Sequence, residues 1–362
     1  MKAGRNLEIS LTNIRPDLEF RHENIFDFSG AAQRLIMEKG WGALSGFRPA
    51  RDLCTDLYRL AIASDKFASV FALVQAAVAR RLERFYSAAP LVSVIALHPG
   101  ASAACVQWKK CRSFHLFSVA TDLVVHSMQA YREVDAIYAD PKAVLMSPLV
   151  RRARDEGRIK FLGLPVENLH FDRAALSSSK THTVLISFGA TGVLGSRSVG
   201  WIFRAVREFP ESRFEFVCGS NRGLYRHVTR RVLAEGLQDR VIVHAFVDDM
   251  PRRISEADVL VGKPGGITAG EAFAQNKPLI IVDMLPGQEW YNHEVLVRNG
   301  LGFRATCAED LIRLIRGISG REDEAVISRL AISDTAGIDA IARSIGQMLP
   351  FSMDQNVRLT CR

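Results

Sequence analysis

No apolar run in this 362-residue chain approaches the ~18–20 residues that a helix needs to span a bilayer. The longest, such as Leu91–Leu97 and Leu279–Val282, have strand length and sit beside turn formers, so no membrane-crossing helix is expected. The opening MKAGRNLEIS lacks the apolar core and small-residue cleavage site of a secretory leader. Six cysteines (Cys54, Cys105, Cys111, Cys218, Cys307, Cys361) are scattered, with no CxxC pair and no Cys/His cluster at ligand spacing. These absences exclude a zinc-stabilised or disulfide-stapled design and point to a reduced, cytoplasmic chain. There is no internal repeat and no low-complexity tract.

What is present fits a globular protein: 48% hydrophobic and 24% charged residues, with length enough for two domains. Lys and Arg outnumber Asp and Glu by 47 to 39, a net charge of +8. This excess favours an anionic partner: nucleotide phosphates, acidic lipid headgroups or nucleic acid. Arginines cluster on helix-like segments (Arg80, Arg81, Arg84; then Arg151, Arg152, Arg154), which also suits an ordinary solvated face. No nucleic-acid recognition motif accompanies the charge, so a nucleic-acid partner is not expected.

The hydrophobic pattern divides the chain into 1–165, a linker at 166–180, a second domain at 181–335, and a helix and tail at 336–362. In the first part, Leu18–Ile25 alternates as a strand does, and a mainly helical region runs from Ala31 to Tyr86. LVSVIALHPG, FHLFSVATD and VDAIYAD read as strands, with a basic helical stretch at 147–158. The second part is more regular. Strands at THTVLIS, RFEFV, VIVHAFV, ADVLVG and KPLIIVD alternate with amphipathic helices of about 10–15 residues. That rhythm predicts a parallel α/β sheet covered on both faces.

Gly262-Lys-Pro-Gly-Gly-Ile-Thr-Ala-Gly-Glu271 lies between a strand and a helix. Gly265 and Gly266 would let backbone approach a bulky anion, and the helix start offers free N–H groups and a positive dipole end. Thr268 lies in that first turn, and Glu271 could accept the paired hydroxyls of a ribose; a tight turn with a surface glutamate is the plain alternative. One βα unit later, MLPGQEWYN supplies Gln288, Glu289 and Asn292, donors and acceptors suited to sugar hydroxyls or simply to solvent. In parallel sheets ligands sit at the carboxyl ends of strands, so these two loops are expected to share one crevice.

Other motifs leave alternatives open. Phe188-Gly-Ala-Thr-Gly-Val-Leu-Gly195 also suits an NAD(P) reductase, but the next strand ends in Cys218-Gly-Ser rather than an acidic residue. Asp248–Asp249 reads as a metal pair or, more simply, a polar turn. His98 closes an apolar strand and could line a cleft or be structural. Asp122 and His126 could work as base and orienter or form a satisfied pair.

VLISFGATG, FVCGSNRGLYRHV and the stretch FVDDMPRRISEADVLVGKPGGITAGEAFAQNKPLIIVDMLPGQEWYNHEVLVRNGLG together resemble the monogalactosyldiacylglycerol synthase and processive diacylglycerol glucosyltransferase family. They are similar, more distantly, to the GlcNAc transferase of peptidoglycan lipid synthesis. The likeness covers residues 180–305 well and continues weakly upstream in VIALHPG, ATDLVVH and VDAIYAD.

The resemblance implies a GT-B fold, two Rossmann-like domains facing across a cleft, and inverting transfer of a hexose from a UDP-sugar to a lipid such as diacylglycerol, with no cofactor or bound metal. Gly189, Gly192, Gly265 and Gly266 would approach the diphosphate. Phe246 and Val247 would border the uracil, Glu271 would bind ribose, and Gln288 and Glu289 would hold the sugar. The first domain would take the lipid and touch an anionic membrane peripherally at its inner face, through Leu57–Arg84 if that stretch is not a buried helix pair.

One departure matters. Family members begin with a strand and a glycine-rich loop ending in a histidine thought to act as base, and no GGGH-like stretch exists here. The first domain is therefore expected to lack its first strand and to carry an open slot. His98 and Asp122 become the candidate catalytic residues, unless the start is truncated or the protein is a weak or inactive UDP-sugar binder. A UDP-GlcNAc 2-epimerase-like activity on the same fold is a further alternative.

Overall fold

Strands buried on both faces need continuous apolar runs, and the runs read above are where strands form. The structure, a computed structural model, describes residues 2–30, 48–88, 90–167, 182–193, 195–319, 337–350 and 358–361. The chain divides into two units. The first comprises Met1–Glu167, Pro286–Tyr291 and Thr335–Arg362; the second comprises Asn168–Leu285 and Asn292–Asp334.

The first unit opens with helix α1 (Lys2–Ile14), strand β1 (Phe20–Glu23) and a 3-10 turn at Ile25–Phe28. Three helices follow: α2 (Arg48–Ala63), α3 (Asp65–Val74) and α4 (Ala76–Tyr86). Then come β2 (Ser93–Ala96), α5 (Pro99–Trp108), β3 (His115–Val119), β4 (Val124–Val125), a 3-10 turn at Ser127–Gln129, β5 (Ala136–Ala139), β6 (Val144–Leu145), α6 (Pro148–Asp155) and β7 (Ile159–Phe161). Of the helical region expected over 31–86, residues 31–47 lie outside the described residues, as do the serine-rich stretch at 168–181 and residues 320–336.

The second unit contains β8 (Thr183–Ser187), α7 (Ser196–Glu208), β9 (Arg213–Val217), α8 (Arg222–Ala234), β10 (Val241–His244), α9 (Met250–Glu256), β11 (Val259–Gly262), α10 (Gly266–Ala274), β12 (Leu279–Ile281), α11 (Gln288–Arg298), β13 (Gly302–Arg304) and α12 (Ala308–Ser319). The first turn of α11 groups with the first unit. Helix α13 (Gly337–Met348) and strand β14 (Arg358–Cys361) also belong to the first unit.

All strand pairings in both six-stranded sheets are parallel. The second sheet has the order β10-β9-β8-β11-β12-β13, so its strand order reverses between β8 and β11. Ligands in doubly wound folds sit in the crevice beyond the carboxyl ends of strands at such a reversal. The loops carrying Gly189–Gly192 and Gly265–Gly266 leave these two strands.

The first sheet has the order β1-β14-β2-β3-β5-β7. Here the structure corrects the expected open slot. Strand β14 lies between β1 and β2, pairing Leu359 with Val94, Thr360 with Ile95 and Cys361 with Ala96 on one side, and Arg358 with Phe20 on the other. The segment read from sequence as a plain helix and tail thus contributes a central strand. Unpaired parallel edges in a sheet interior would leave buried N–H and C=O groups without partners, which is the physical reason the slot is filled.

Alternation along β2 separates two layers. Val94 and Ala96 join the core with Ala68, Ala72, Val78, Leu82 and Trp108, from α3, α4 and α5. Ile95 faces the opposite layer, with Leu7 and Leu11 of α1 and Ile338, Ile341 and Ile345 of α13. In the second unit Val184, Ile186, Phe214, Phe216, Val259, Val261 and Ile280 pack with Ile202, Phe203, Val228 and Leu311.

Arg15, 3% exposed, fixes α13 to α1. Its guanidinium donates to the carbonyls of Gly346 and Leu349 at 3.2 Å and Pro350 at 3.1 Å, and to both carboxylate oxygens of Asp17 at 2.6–2.7 Å. The cation thus satisfies the orphan carbonyls at the negative end of α13. Arg15→Ala removes the donor to those three carbonyls and the cation beside Asp17, so urea denaturation should show a loss of about 3 kcal/mol.

Candidate functional site

Three strand-end loops of the second unit are fastened to one another. The loop after β8 turns through Gly189 and Gly192, at φ +74° and +59°. The carbonyl of Gly192 accepts from the Asn221 side chain at 2.9 Å, and Ser220 N donates to the Ala190 carbonyl at 2.8 Å, which ties this loop to the one after β9. The Asp283 carboxylate, beyond β12, accepts from Gly195 N at 2.8 Å and from Met284 N at 2.9 Å. Two glycines serve this packing: a Cβ at Gly192 would lie 1.9 Å from the Cys218 carbonyl oxygen, and one at Gly262 would lie 2.0 Å from that of Ser187. Gly189 is different, because a Cβ there would meet nothing within 4 Å.

Helix α10 starts at Gly266 with Gly265 as its cap, in extended conformation and making no side-chain capping bond. The first-turn N–H groups are therefore not satisfied by a capping side chain, and Thr268 Oγ1 lies 3.9 Å from where a Gly265 Cβ would be. Such a helix start attracts an anion. Glu271 follows at 7% exposed, and Lys263, which sequence reasoning passed over, is 6% exposed. The signal for Lys263 was its place between a strand-end glycine and Pro264. Phe246, beyond β10, is exposed and Val247 is half-buried. Asp249 accepts from Arg253 at 2.7 Å, which holds its carboxyl below the usual range, and among the described residues no group of three metal-type side chains converges.

Gln288, Glu289 and Asn292, expected on a loop, lie instead on the first turns of α11. Pro286-Gly287 ends the preceding segment, and acidic Glu289 in the first turn favours helix. Gln288 is exposed, Glu289 is buried, and Asn292 is fully buried. Gly287 has φ +90°, and a Cβ there would come within 3.1–3.4 Å of Tyr58.

A buried polar cluster lies in the first unit. His98 caps α5, its Nδ1 accepting from Gly100 N at 3.1 Å. His126 caps the Ser127–Gln129 turn in the same way, with Nδ1 accepting from Met128 N at 3.1 Å, while Gln129 Oε1 accepts from His126 N at 3.0 Å. Ser102 Oγ, Ser118 Oγ and Gln129 Nε2 link these caps at 3.0 and 3.2 Å. Tyr58 meets the His126 ring edge-on at 5.7 Å and Tyr291 at 6.2 Å. Burial, and then the charge of Asp122, raises the Tyr58 hydroxyl well above its usual range. Asp122 and His126 do not share a helix face; β4 separates them.

Burial holds His98 down at about 4, and burial plus the nearby charge of His98 holds His126 down at about 3. His182 and His293 are lowered as well, chiefly by burial. In the unfolded chain these imidazoles protonate near 6.5, so below that pH the unfolded state binds more protons. Their contribution is complete above pH 6.5 and is lost as pH falls toward 4 and 3. Urea midpoints should therefore be lower at pH 5 than at pH 7.5, with about 2 kcal/mol of the difference due to His126. His126→Asn, which keeps a capping acceptor, should flatten the slope.

Two parallel α/β units of this kind define the class: the fold is GT-B, as in the glycotransferase of kitacinnamycin (TM-score 0.58, 18% identity, 78% of this chain and 83% of that one). MurG of Acinetobacter baumannii shares it at TM-score 0.54 and 15% identity, over 76% of this chain and 78% of that one. No protein-family model matches the chain.

In sequence the chain is similar to processive diacylglycerol beta-glucosyltransferases. That of Staphylococcus carnosus (strain TM300) is 30% identical over 187 residues, covering 49% of this chain and 46% of the relative. That of Bacillus pumilus (strain SAFR-032) is 26% identical over 217 residues, covering 58% and 55%. The chain thus spans about half the length of the curated relatives it matches.

Proposed function

We propose that the protein is an inverting hexosyltransferase that moves a hexose from a UDP-sugar to the hydroxyl of a lipid such as diacylglycerol. The observation that carries this reading is the start of α10: a glycine-lined helix N-terminus with no side-chain cap, at the strand-order reversal, with buried Glu271 one turn further on. In the proposal the α10 N–H groups and the Gly189–Gly192 loop receive the diphosphate and stabilise it as UDP departs, the work a metal would otherwise do. Glu271 binds ribose, Phe246 and Val247 border the uracil, and Gln288, Glu289 and Asn292 hold the sugar. His98 and Asp122 serve the acceptor. The similarity to processive diacylglycerol beta-glucosyltransferases supports a lipid acceptor.

The membrane contact is read from α2, α3 and α4. Leu53, Leu57 and Leu60 recur at helical spacing and are exposed, as are Phe67, Val70, Leu73 and Val74; Leu60 is 66% and Leu73 63% exposed. Exposed Arg80, Arg81 and Arg84 follow on α4. Exposed apolar side chains on successive helices, with exposed arginines following, suit an anionic lipid surface and disfavour the alternative of a buried helix pair. No helix among the described residues is long and apolar enough to cross a membrane.

A second reading, a UDP-sugar binder without turnover, draws on the lack of a GGGH-like stretch in the sequence. Radiolabelled UDP-glucose with diacylglycerol vesicles separates the two, since the proposed enzyme yields labelled glycolipid and a mere binder does not. Calorimetry tests the donor site: Glu271→Gln should weaken UDP binding at least tenfold, from the loss of a charged hydrogen-bond acceptor, without lowering Tm by more than a few degrees. The doubly substituted Leu60→Asp, Leu73→Asp chain should lose sedimentation with anionic vesicles while keeping UDP affinity.

A further inference from the structure

His98 and His126 share a feature that decides what their rings can do. Each Nδ1 accepts a backbone N–H, from Gly100 and Met128, both at 3.1 Å. A backbone N–H only donates, and an imidazole nitrogen has one in-plane lone pair, so Nδ1 carries no proton in either residue. The usual ambiguity of the histidine tautomer is thereby removed, and in the neutral ring the proton sits on Nε2. Ser127 Oγ, 3.3 Å from His126 Nδ1, does not compete, because it gives its proton to the Ala61 carbonyl at 3.0 Å. Neither Nε2 has a hydrogen-bond partner among the described residues.

The rings are also held in place. Ser102 of α5, Ser118 of β3 and Gln129 form a buried chain of hydrogen bonds that reaches the His126 backbone. Ring edges of Phe26 and Tyr58 stand against His98 and His126, at 6.0 and 5.7 Å. Among the described residues, His98 is the titratable group that acts on His126, and Asp122 acts on Tyr58, whose ring stands against His126. Burial keeps both imidazoles neutral at physiological pH, and charging one opposes charging the other.

The geometry points to a division of labour, resting on the acceptor role proposed above: His98 and His126 donate Nε2–H hydrogen bonds to oxygens of a hydroxyl-bearing acceptor headgroup, and Asp122 takes the proton. The acceptor O–H proton passes to the Asp122 carboxylate as the oxygen bonds to the anomeric carbon. The bond from that carbon to the phosphate oxygen breaks, and its electron pair leaves with UDP. A neutral imidazole protonated on Nε2 presents no lone pair to the acceptor, so His98 orients the hydroxyl and does not deprotonate it.

Long-range 1H–15N correlation NMR on the full chain with 15N-labelled histidine tests the tautomer without any substrate. His98→Asn and His126→Asn assign the signals. Both should show the Nε2–H pattern with no titration between pH 5 and 8; an Nδ1–H pattern, or titration near 6.5, overturns the proposal. Asparagine at either position keeps the capping acceptor in Oδ1, and its amide N–H groups sit one bond short of the Nε2–H they replace. In transfer from UDP-glucose to diacylglycerol vesicles, His126→Asn should lower kcat/KM for the lipid at least tenfold with UDP affinity and Tm unchanged. A wild-type kcat/KM in that variant overturns the donor role. A wild-type chain that transfers no sugar overturns the hexosyltransferase reading together with the acceptor role. A chain that transfers sugar but carries a titrating or Nδ1–H imidazole overturns only the donor assignment.

Discussion

In a parallel sheet every strand ends on the same edge, and most side chains given a role in this protein depend on that constraint. The loops after β8, β9 and β12 are brought together because their strands run the same way, and Asp283 and Asn221 then bind them to one another. His98 follows β2 in the same manner. Chemistry gathers at one edge of each sheet because the helical crossovers occupy the faces.

Glycines in the second unit divide by what surrounds them. Gly192 and Gly262 are required by protein backbone, since carbonyl oxygens of Cys218 and Ser187 occupy the space a side chain would need. Gly189 and Gly265 have room, and nothing in the protein crowds them. The first pair keeps the loops close; Gly189 is set apart by its φ of +74°, which side chains rarely adopt, and Gly265 by the open space before α10. Sequence alone could not separate these duties, because both kinds appear simply as glycine beside a strand.

The second unit was largely readable in the sequence, because strands buried on both faces stand out as apolar runs between glycine loops. Three things were not readable. Strand β14 is four residues, Arg-Leu-Thr-Cys, too short for a period to declare itself, and its neighbours β1 and β2 are far away in sequence. Histidine is not a common cap, so nothing in VIALHPG or LVVHSMQ announced that Nδ1 would be taken by backbone N–H groups. The amphipathic spacing of Leu53, Leu57 and Leu60 fitted a buried helix as well as an exposed one, and only packing shows that Ala61 and Ile62 face inward while the leucines do not. The motif reading placed Gln288, Glu289 and Asn292 on a loop, where a Pro-Gly stop followed by an acidic turn begins a helix.

Strand β14 also orders events during synthesis. The first unit's sheet is completed by a strand that leaves the ribosome after the whole second unit has emerged. The second unit can close its sheet while the first still has a gap between β1 and β2. Domains fold as units during translation, and exposed parallel edges invite mispairing. The nascent chain is therefore most vulnerable to aggregation over the interval in which α13 and β14 are still to come.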